Sequence, residues 1–361
     1  MTTSWTLSLP QWGWNDFFQS EALKRAKPDW LPARVISEER SGFQIFLSEH
    51  LQARATLRGR IRLDQEAMSP TVGDWLLVSP TGHADHWLIE EVLPRQTFLA
   101  RQQAGTQLGW QAMAANVDAM LIATSANEDL NIARLERYVT LAWEAGVQPI
   151  IVLTKADLHS DVDGLVVQIE RSLMAVPVVV ASLKPQSSVE ALMAILQSQK
   201  TYVLLGSSGV GKSSLVNVLL GSEQQRIQHI REDDDKGRHT TTSRGLFLLP
   251  GGALLMDTPG LREIQLGDSE QGFERNFHEI LSLAQNCRFR DCAHQAEPDC
   301  AVQAAIENGE IEPARWQSYL KQLAEIRHFQ RKQSKAMASQ DKKKWKQIHR
   351  QHKLKKQLRG F

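Results

Sequence analysis

The sequence predicts a multidomain protein with an N-terminal β-barrel of the OB type, a doubly wound α/β domain, and a C-terminal Cys/His module with a basic helical tail. Three observations support this. Short β-type runs separated by turns fill much of the first hundred residues, buried strands then alternate with helices, and all three cysteines fall within 14 residues. We expect segment boundaries at 1–32, 33–103, 104–278, 279–325 and 326–361.

The composition is ordinary for a globular chain, with 42% hydrophobic and 23% charged residues. No run of about 18 apolar residues occurs, and Met1–Pro10 lacks the pattern of a signal peptide, so we expect a cytoplasmic protein without membrane contact. Residues 327–361 hold 13 of the 42 basic and one of the 41 acidic side chains, which leaves +12 on the tail and −11 elsewhere. Such a tail indicates a polyanionic partner, and a solvated, partly disordered helix is the alternative.

The N-terminal third divides into an extension and a barrel. Residues 1–32 carry four tryptophans without a clear period, and we expect them to pack as an extension. Five short β-type segments then predict a small barrel, for which the OB type is the commonest of this size, and a β-sandwich fragment is the alternative. The predicted strands are Ala33–Ser37, Gly42–Leu47, Ala53–Arg62, Asp74–Ser79 and His86–Val92.

From about Asn116 the pattern changes to apolar runs alternating with helical stretches, which predicts a mainly parallel sheet covered on both faces. The predicted strands are Val117–Ala123, Pro149–Leu153, Val176–Ala181, Tyr202–Leu205, Leu246–Leu249 and Ala253–Met256. The predicted helices are Ala133–Ala145, Val189–Gln197 and Lys212–Leu220.

A phosphate-binding loop of the form G-x-x-x-x-G-K-[ST] follows a predicted strand and opens a predicted helix. Its glycines let backbone N–H groups converge on phosphate oxygens. Lys212 is expected to reach the β- and γ-phosphates, and the Ser213 hydroxyl is expected to ligate Mg²⁺. The expected contacts are Gly206, Ser207, Ser208, Gly209, Val210, Gly211, Lys212, Ser213 and Ser214.

The nucleotide base is predicted from a second motif, Thr154-Lys155-Ala156-Asp157, at the end of a buried strand. One carboxylate can accept both guanine N–H donors, so Asp157 favours guanine and would leave adenine unpaired. Thr154 stands where such motifs usually have Asn, so we expect a weaker contact there. Ser182, after the next strand, is expected to close over the guanine carbonyl.

Two further segments complete the predicted site. Asp257, after the strand Ala253–Met256, suits the second-sphere carboxylate that holds Mg²⁺, and the Gly260 N–H suits a γ-phosphate contact. Gly237–Thr242 reads as a switch segment in which one threonine joins the Mg²⁺ shell; Thr240, Thr241 and Thr242 are all candidates, and Thr241 is preferred. Leu261 replaces the Gln that orients water in many GTPases, so His239 or a group from a partner must supply that function.

The order of the motifs is rotated. Asp157 precedes Lys212 by 55 residues, whereas ordinary GTPases carry the phosphate loop first and the guanine motif last. We label the phosphate loop G1, the segment Gly237–Thr242 G2, Asp257–Gly260 G3, Thr154–Asp157 G4 and the position of Ser182 G5. The order along the chain is then G4-G5-G1-G2-G3, which predicts a circularly permuted P-loop GTPase domain. Circular permutation joins the original termini and opens the chain elsewhere. It preserves the nucleotide site when the original termini lie close together.

The three cysteines and a histidine form the pattern Cys287-x4-Cys292-x-His294-x5-Cys300. Three thiolates and one imidazole suit one tetrahedral, structural Zn²⁺, and a cluster of free thiols is the alternative. Arg288 and Arg290 make this module a candidate RNA-facing surface. Further basic candidates for phosphate contact are Lys342–Lys346, Lys353–Lys356, Arg54, Arg58, Arg60 and Arg62, although arginines on an exposed strand are as often merely solvated.

Barrel, permuted GTPase core and Cys/His module in this order resemble the RsgA (YjeQ) family of ribosome-associated GTPases, over roughly residues 33–325. The resemblance implies a bacterial cytosolic GTPase that acts late in maturation of the 30S ribosomal subunit, binds 16S rRNA and is stimulated by the subunit. A monomer fits the asymmetric layout. The alternatives are a metabolic P-loop kinase, a nucleic-acid-binding protein with a vestigial loop, and a permuted GTPase of the large subunit.

Overall fold

The computed structural model describes most of the chain, and the fold below refers to those residues. They are 8–39, 41–48, 51–59, 69–83, 85–102, 110–127, 130–173, 175–182, 187–221, 245–257, 270–295 and 297–331. The chain divides into two compact units, one of Met1–Arg101 with Gln111–Ile264 and one of Gln102–Trp110 with Gln265–Phe361.

The first unit begins with a closed five-stranded barrel. Its strands are β1 (Leu31–Glu39), β2 (Gly42–Ser48), β3 (Leu51–Leu57), β4 (Trp75–Pro80) and β5 (His86–Val92). Pairing runs β1-β2-β3-β5-β4 and returns to β1, with β3 and β5 parallel and the other pairs antiparallel. The predicted barrel is therefore confirmed, and the sandwich alternative is wrong.

The tryptophan-rich N-terminal segment packs on this barrel. The Trp12 ring stacks on Phe46 at 4.3 Å between centroids, and Trp14 meets the buried Trp75 edge-on at 4.7 Å. A short 3-10 helix (Leu9–Trp12) and an α-helix (Asp16–Arg25) form this segment. The α-helix begins at Asn15, whose side-chain oxygen accepts two backbone N–H groups. Sequence periodicity gave no sign of this helix.

An α/β sheet forms the rest of the first unit. Its order is β10-β9-β8-β11-β13-β12, with β12 antiparallel and all other neighbours parallel. The strands are β8 (Ala119–Ser125), β9 (Gln148–Thr154), β10 (Val178–Ala181), β11 (Thr201–Gly206), β12 (Gly245–Leu248) and β13 (Leu254–Asp257). The helices are Ile132–Glu144, Val162–Ser172, Ser187–Ile195 and Lys212–Leu220, and Ala156–Leu158 is a 3-10 turn. Every residue of β8 is buried, as expected for a strand covered on both faces.

Strand order reverses between β8 and β11. From β8 the chain proceeds to β9 on one side, and from β11 it reaches β13 and β12 on the other. Ligands of open α/β sheets bind beyond the carboxyl ends of the strands at such a point. The two sheets also join, because Ser37 of β1 pairs with Gly245 of β12. A two-stranded sheet of β6 (Phe98–Gln102) and β7 (Trp110–Ala115) lies between the barrel and β8 in sequence.

The second unit has a helical core. Its described helices are Glu270–Asn276, His278–Ala284, Ala301–Glu307 and 313–331. Phe273, Phe277 and Tyr319 pack ring against ring, with centroids 4.9–5.5 Å apart, and Trp316 stacks on Tyr319 at 5.1 Å. Among the helices that the structure describes, none is both long and apolar enough to traverse a lipid bilayer.

Candidate nucleotide site and metal centre

The phosphate-loop motif joins β11 to the helix Lys212–Leu220, as predicted. Gly206, Gly209 and Gly211 have φ angles of +153°, +81° and +95°, a region that favours glycine. A Cβ atom on Gly206 would lie 2.4 Å from the Ala123 carbonyl oxygen of β8, so only glycine fits there. The loop conformation therefore follows from its glycines.

Lys212 and the serines that follow it stand at the N-terminus of this helix. The Lys212 ammonium donates hydrogen bonds to the carbonyl oxygens of Gly206, at 2.8 Å, and Ser207, so its charge lies over the loop. Ser208, Ser213 and Ser214 are exposed. A helix N-terminus, a loop of backbone N–H groups and a positive charge together suit an anionic phosphate chain.

Thr154 ties the predicted guanine motif to the phosphate loop. It is the last residue of β9, is 3% exposed, and its hydroxyl lies 2.6 Å from the Val210 carbonyl oxygen and 3.0 Å from that of Thr124. The sequence suggested a weaker contact because Thr replaces Asn. The structure instead gives this hydroxyl a short hydrogen bond to the loop.

Asp157 lies exposed in the 3-10 turn that follows, and its carboxylate accepts a hydrogen bond of 2.5 Å from the Ser182 hydroxyl. Ser182 is buried directly after β10. Lys155 has a φ of +55°, uncommon for a residue with a side chain, and it turns the chain between β9 and Asp157. The Ser182 hydroxyl thereby orients the Asp157 carboxylate.

Asp257 ends β13 beside β11, at the same edge of the sheet as the phosphate loop, and it is half-buried. The predicted Mg²⁺ ligand Ser213 and the predicted second-sphere carboxylate Asp257 therefore belong to neighbouring elements. The remaining predicted residues lie outside the described part of the chain, and their roles stay predictions. They are Gly260, Leu261, His239, Thr240, Thr241 and Thr242.

The four predicted metal ligands converge in the second unit. Their ligand atoms all lie within 4.8 Å of one another. The Cys287 sulfur is 3.9 Å from the Cys300 sulfur, and the His294 Nδ1 atom is 3.5 Å and 3.4 Å from these two sulfurs. Four such atoms around one point can bind a metal ion, whereas scattered free thiols would not converge.

Local backbone conformation makes this convergence possible. His294 and Asp299 have φ angles of +57° and +59°, which turn the chain sharply on either side of the segment between the ligands. Cys300 begins the helix Ala301–Glu307 and its sulfur accepts the Gln303 N–H. Burial raises the pKa of the Cys292 thiol to about 11, so a cation would have to displace its proton.

The predicted RNA-facing arginines differ in their surroundings. In the barrel, Arg54 is paired with Glu39 at 3.1 Å and Arg58 with the buried Glu90 at 2.5 Å. Each of these two charges is therefore paired with a carboxylate of the barrel itself. In the Cys/His module, Arg288 pairs with Asp299 at 2.8 Å, and Arg290 is exposed. Arg60, Arg62, Lys342–Lys346 and Lys353–Lys356 lie outside the described residues.

Arg34 of β1 is a buried residue that the sequence analysis did not single out. Its guanidinium donates to the Trp12, Gly73 and Asn116 carbonyl oxygens and, at 3.0 Å, to the Thr201 hydroxyl. Burial lowers its pKa to about 10, which still leaves it charged at neutral pH. No local motif marks such a residue, because its partners lie far away in sequence.

Known proteins resemble this chain over almost its whole length. The sequence model of the RsgA GTPase family matches residues 92–267. The small ribosomal subunit biogenesis GTPase RsgA 2 of Vibrio vulnificus (strain CMCP6) is 42% identical over 327 residues, which are 90% of each chain. The small ribosomal subunit biogenesis GTPase RsgA of Opitutus terrae is 39% identical over 365 residues, covering 98% of this chain and 99% of the relative.

Solved structures of other proteins are also similar to this chain. The crystal structure of YjeQ from Thermotoga maritima aligns with a TM-score of 0.62 and 26% identity, covering 82% of this chain and 98% of that one. YloQ, described as a circularly permuted GTPase, aligns with a TM-score of 0.59 and 25% identity over 84% of this chain and 98% of its own. This chain therefore belongs to the RsgA (YjeQ) family of circularly permuted GTPases and is a GTP hydrolase.

Proposed function

We propose that this GTPase acts in late maturation of the 30S ribosomal subunit, binds 16S rRNA, and hydrolyses GTP faster on the subunit. The names of the two relatives support this partner, since both are small ribosomal subunit biogenesis GTPases. The proposed location is the cytoplasm, where ribosomes are assembled, and the proposed state is a monomer.

The observation that carries the proposed nucleotide site is the hydrogen bond of 2.6 Å between Thr154 and Val210. It links the guanine motif, early in the chain, to the phosphate loop, late in the chain, as the order G4-G5-G1-G2-G3 requires. Asp157, oriented by Ser182, then accepts the two guanine N–H donors, while Lys212 and the loop N–H groups bind the phosphates.

The proposed reaction is attack of water on the γ-phosphate. Mg²⁺ bound with GTP would neutralise charge that develops on the phosphates. Ser213, Asp257 and a threonine of the switch segment, Thr241 in our assignment, would hold that ion, and the Gly260 N–H would bind the γ-phosphate. Since Leu261 cannot orient water, we assign this function to His239 or to a ribosomal group.

We propose that the Cys/His cluster holds one structural Zn²⁺. Tetrahedral zinc with bonds of about 2.3 Å to sulfur and about 2.0 Å to nitrogen separates two sulfurs by about 3.8 Å, and sulfur from nitrogen by about 3.5 Å. The corresponding distances of 3.9, 3.5 and 3.4 Å support this assignment. With four protein ligands, no position is open for a reacting molecule.

The test is GTP turnover by the full chain, with and without purified small subunits, at two salt concentrations. We expect stimulation by small subunits, none by large subunits, and weaker stimulation at the higher salt because phosphate contacts release counterions. ATP that competes equally with GTP would favour a metabolic kinase. Subunit binding without any turnover would favour a vestigial phosphate loop, and stimulation by large subunits alone would contradict the assigned partner.

A further inference from the structure

The end of barrel strand β1 is aligned with the predicted magnesium residue. Ser37 of β1 is paired with Gly245 of β12, and the same Gly245 is paired with Asp257 of β13. The three residues therefore stand in one row across three adjacent strands. Neighbouring strands are about 4.8 Å apart, so the barrel backbone comes within about 10 Å of Asp257.

A β-bulge directs β1 toward the α/β sheet. Before it, Leu31–Arg34 pairs with β4 inside the barrel. The register between β1 and β2 then shifts between Val35 and Ser37, and beyond the shift Ser37 pairs with β12. Bulges bend a strand and increase its twist, so β1 exchanges its barrel neighbour for one in the GTPase sheet.

A second contact holds the same strand at the edge of the sheet opposite the phosphate loop. Arg34 is 1% exposed, and its guanidinium donates a hydrogen bond of 3.0 Å to the hydroxyl of Thr201, the first residue of β11. β11 leads directly into the phosphate loop. β1 is therefore attached both to the strand that precedes Lys212 and, through β12, to the strand that ends at Asp257.

We propose that β1 is a positioning element for the magnesium site, and that displacement of the barrel changes Mg²⁺ affinity more than guanine affinity. This inference rests on the proposed role of Asp257. The physical reason is that the described part of β12 is four residues long and, among the described strands, would be an edge strand without β1. Short edge strands open easily, and opening of β12 would release one side of Asp257. The proposed guanine-binding residues Thr154, Asp157 and Ser182 lie at or directly after the carboxyl ends of β9 and β10, which are the strands farthest from β12 in the α/β sheet.

Two proline variants of the full chain separate this role from general damage to the barrel. Ser37→Pro is placed where β1 meets β12, whereas Gln52→Pro is placed on an exposed position of β3, which pairs only with barrel strands in the described structure. We expect Ser37→Pro to raise the Mg²⁺ concentration for half-maximal GTP turnover by about threefold or more, relative to Gln52→Pro. GDP affinity in EDTA should be the same for both. Equal Mg²⁺ dependence of the two variants would overturn the proposal.

Hydrogen exchange on the wild type gives a second test, which does not depend on how the two proline variants fold. With a GTP analogue bound, addition of Mg²⁺ should slow amide exchange in the part of β1 around Ser37 and leave β3 unchanged. Asp257→Asn should abolish that difference. Unchanged β1 exchange, together with a loss of Mg²⁺-dependent turnover in Asp257→Asn, would disprove the positioning role alone. Retained Mg²⁺ dependence in Asp257→Asn would disprove the magnesium role assigned to Asp257 itself.

Discussion

The Thr154 hydroxyl and the Val210 carbonyl oxygen, 56 residues apart in the chain, are joined by a hydrogen bond of 2.6 Å. This bond connects the end of β9 with the phosphate loop, so it couples the two halves of the proposed nucleotide site. Both atoms lie in a buried environment, where a carbonyl oxygen that loses its donor is costly.

Thr154→Val tests this coupling. The substitution keeps the size of the side chain and removes the hydroxyl. We expect the free energy of GDP binding to weaken by about 1–2 kcal/mol, which is about tenfold in affinity. Thr154→Ser retains the hydroxyl and is the matched control. Equilibrium binding of a fluorescent GDP analogue measures both. Wild-type affinity in the valine variant would show that the two motifs do not depend on this bond.

Asp157→Asn tests how the base is selected. An amide offers one acceptor where the carboxylate offers two, and its N–H group would oppose a guanine donor. We therefore expect GDP affinity to fall about a hundredfold or more, while the weak ADP affinity stays constant. The affinity for inosine diphosphate, which lacks the exocyclic amine, should fall much less than the affinity for GDP. Equal losses for GDP and inosine diphosphate would argue against the two-donor arrangement.

Local sequence was sufficient to predict the parts of the site that depend on neighbouring residues. The phosphate loop follows from glycines at fixed positions, and β8, β9 and β11 follow from uninterrupted apolar runs. The rotated order of motifs then required a permuted domain. The phosphate loop and each strand are contained in a short window of sequence, and the rotated order follows from the positions of two such windows along the chain.

Long-range partners could not be predicted in the same way. Nothing near Ser37 indicates that it pairs with Gly245, and nothing near Arg34 indicates bonds to Asn116 and Thr201. The helix Asp16–Arg25 has its capping residue but only a weak apolar stripe, so its formation depends on packing against the barrel. Such features require the folded partner surface to be known.

His239→Ala tests the hydrolytic role inferred from Leu261. If the imidazole orients water, turnover on small subunits should fall about a hundredfold, while GTP affinity changes little. Single-turnover hydrolysis and equilibrium binding separate the two effects. Unchanged subunit-stimulated turnover would remove His239 from the mechanism and favour a group supplied by the ribosome.

Removal of the metal should affect the second unit and spare the nucleotide site. Chelation leaves three thiols and an imidazole without the ion that holds them together, so the module should lose its fold. We expect amide exchange in Ala301–Glu307 to accelerate, with GDP affinity unchanged and protection restored by added zinc. Cys300→Ser should produce the same loss without a chelator. A module that keeps its exchange protection after complete chelation would contradict a structural metal.

Arg34→Met tests the buried contact between β1 and β11. The substitution retains most of the side-chain volume but leaves the Trp12, Gly73 and Asn116 carbonyl oxygens without their donor. Each buried acceptor left without a donor costs about 1–3 kcal/mol, so with three such carbonyl oxygens we expect the free energy of unfolding by denaturant to fall by at least about 3 kcal/mol. Arg54→Ala is the control, because its ion pair with Glu39 is about half exposed and should contribute less than about 1 kcal/mol. Similar losses in both variants would mean that the buried hydrogen bonds of Arg34 contribute little to stability and do not fix β1 to β11.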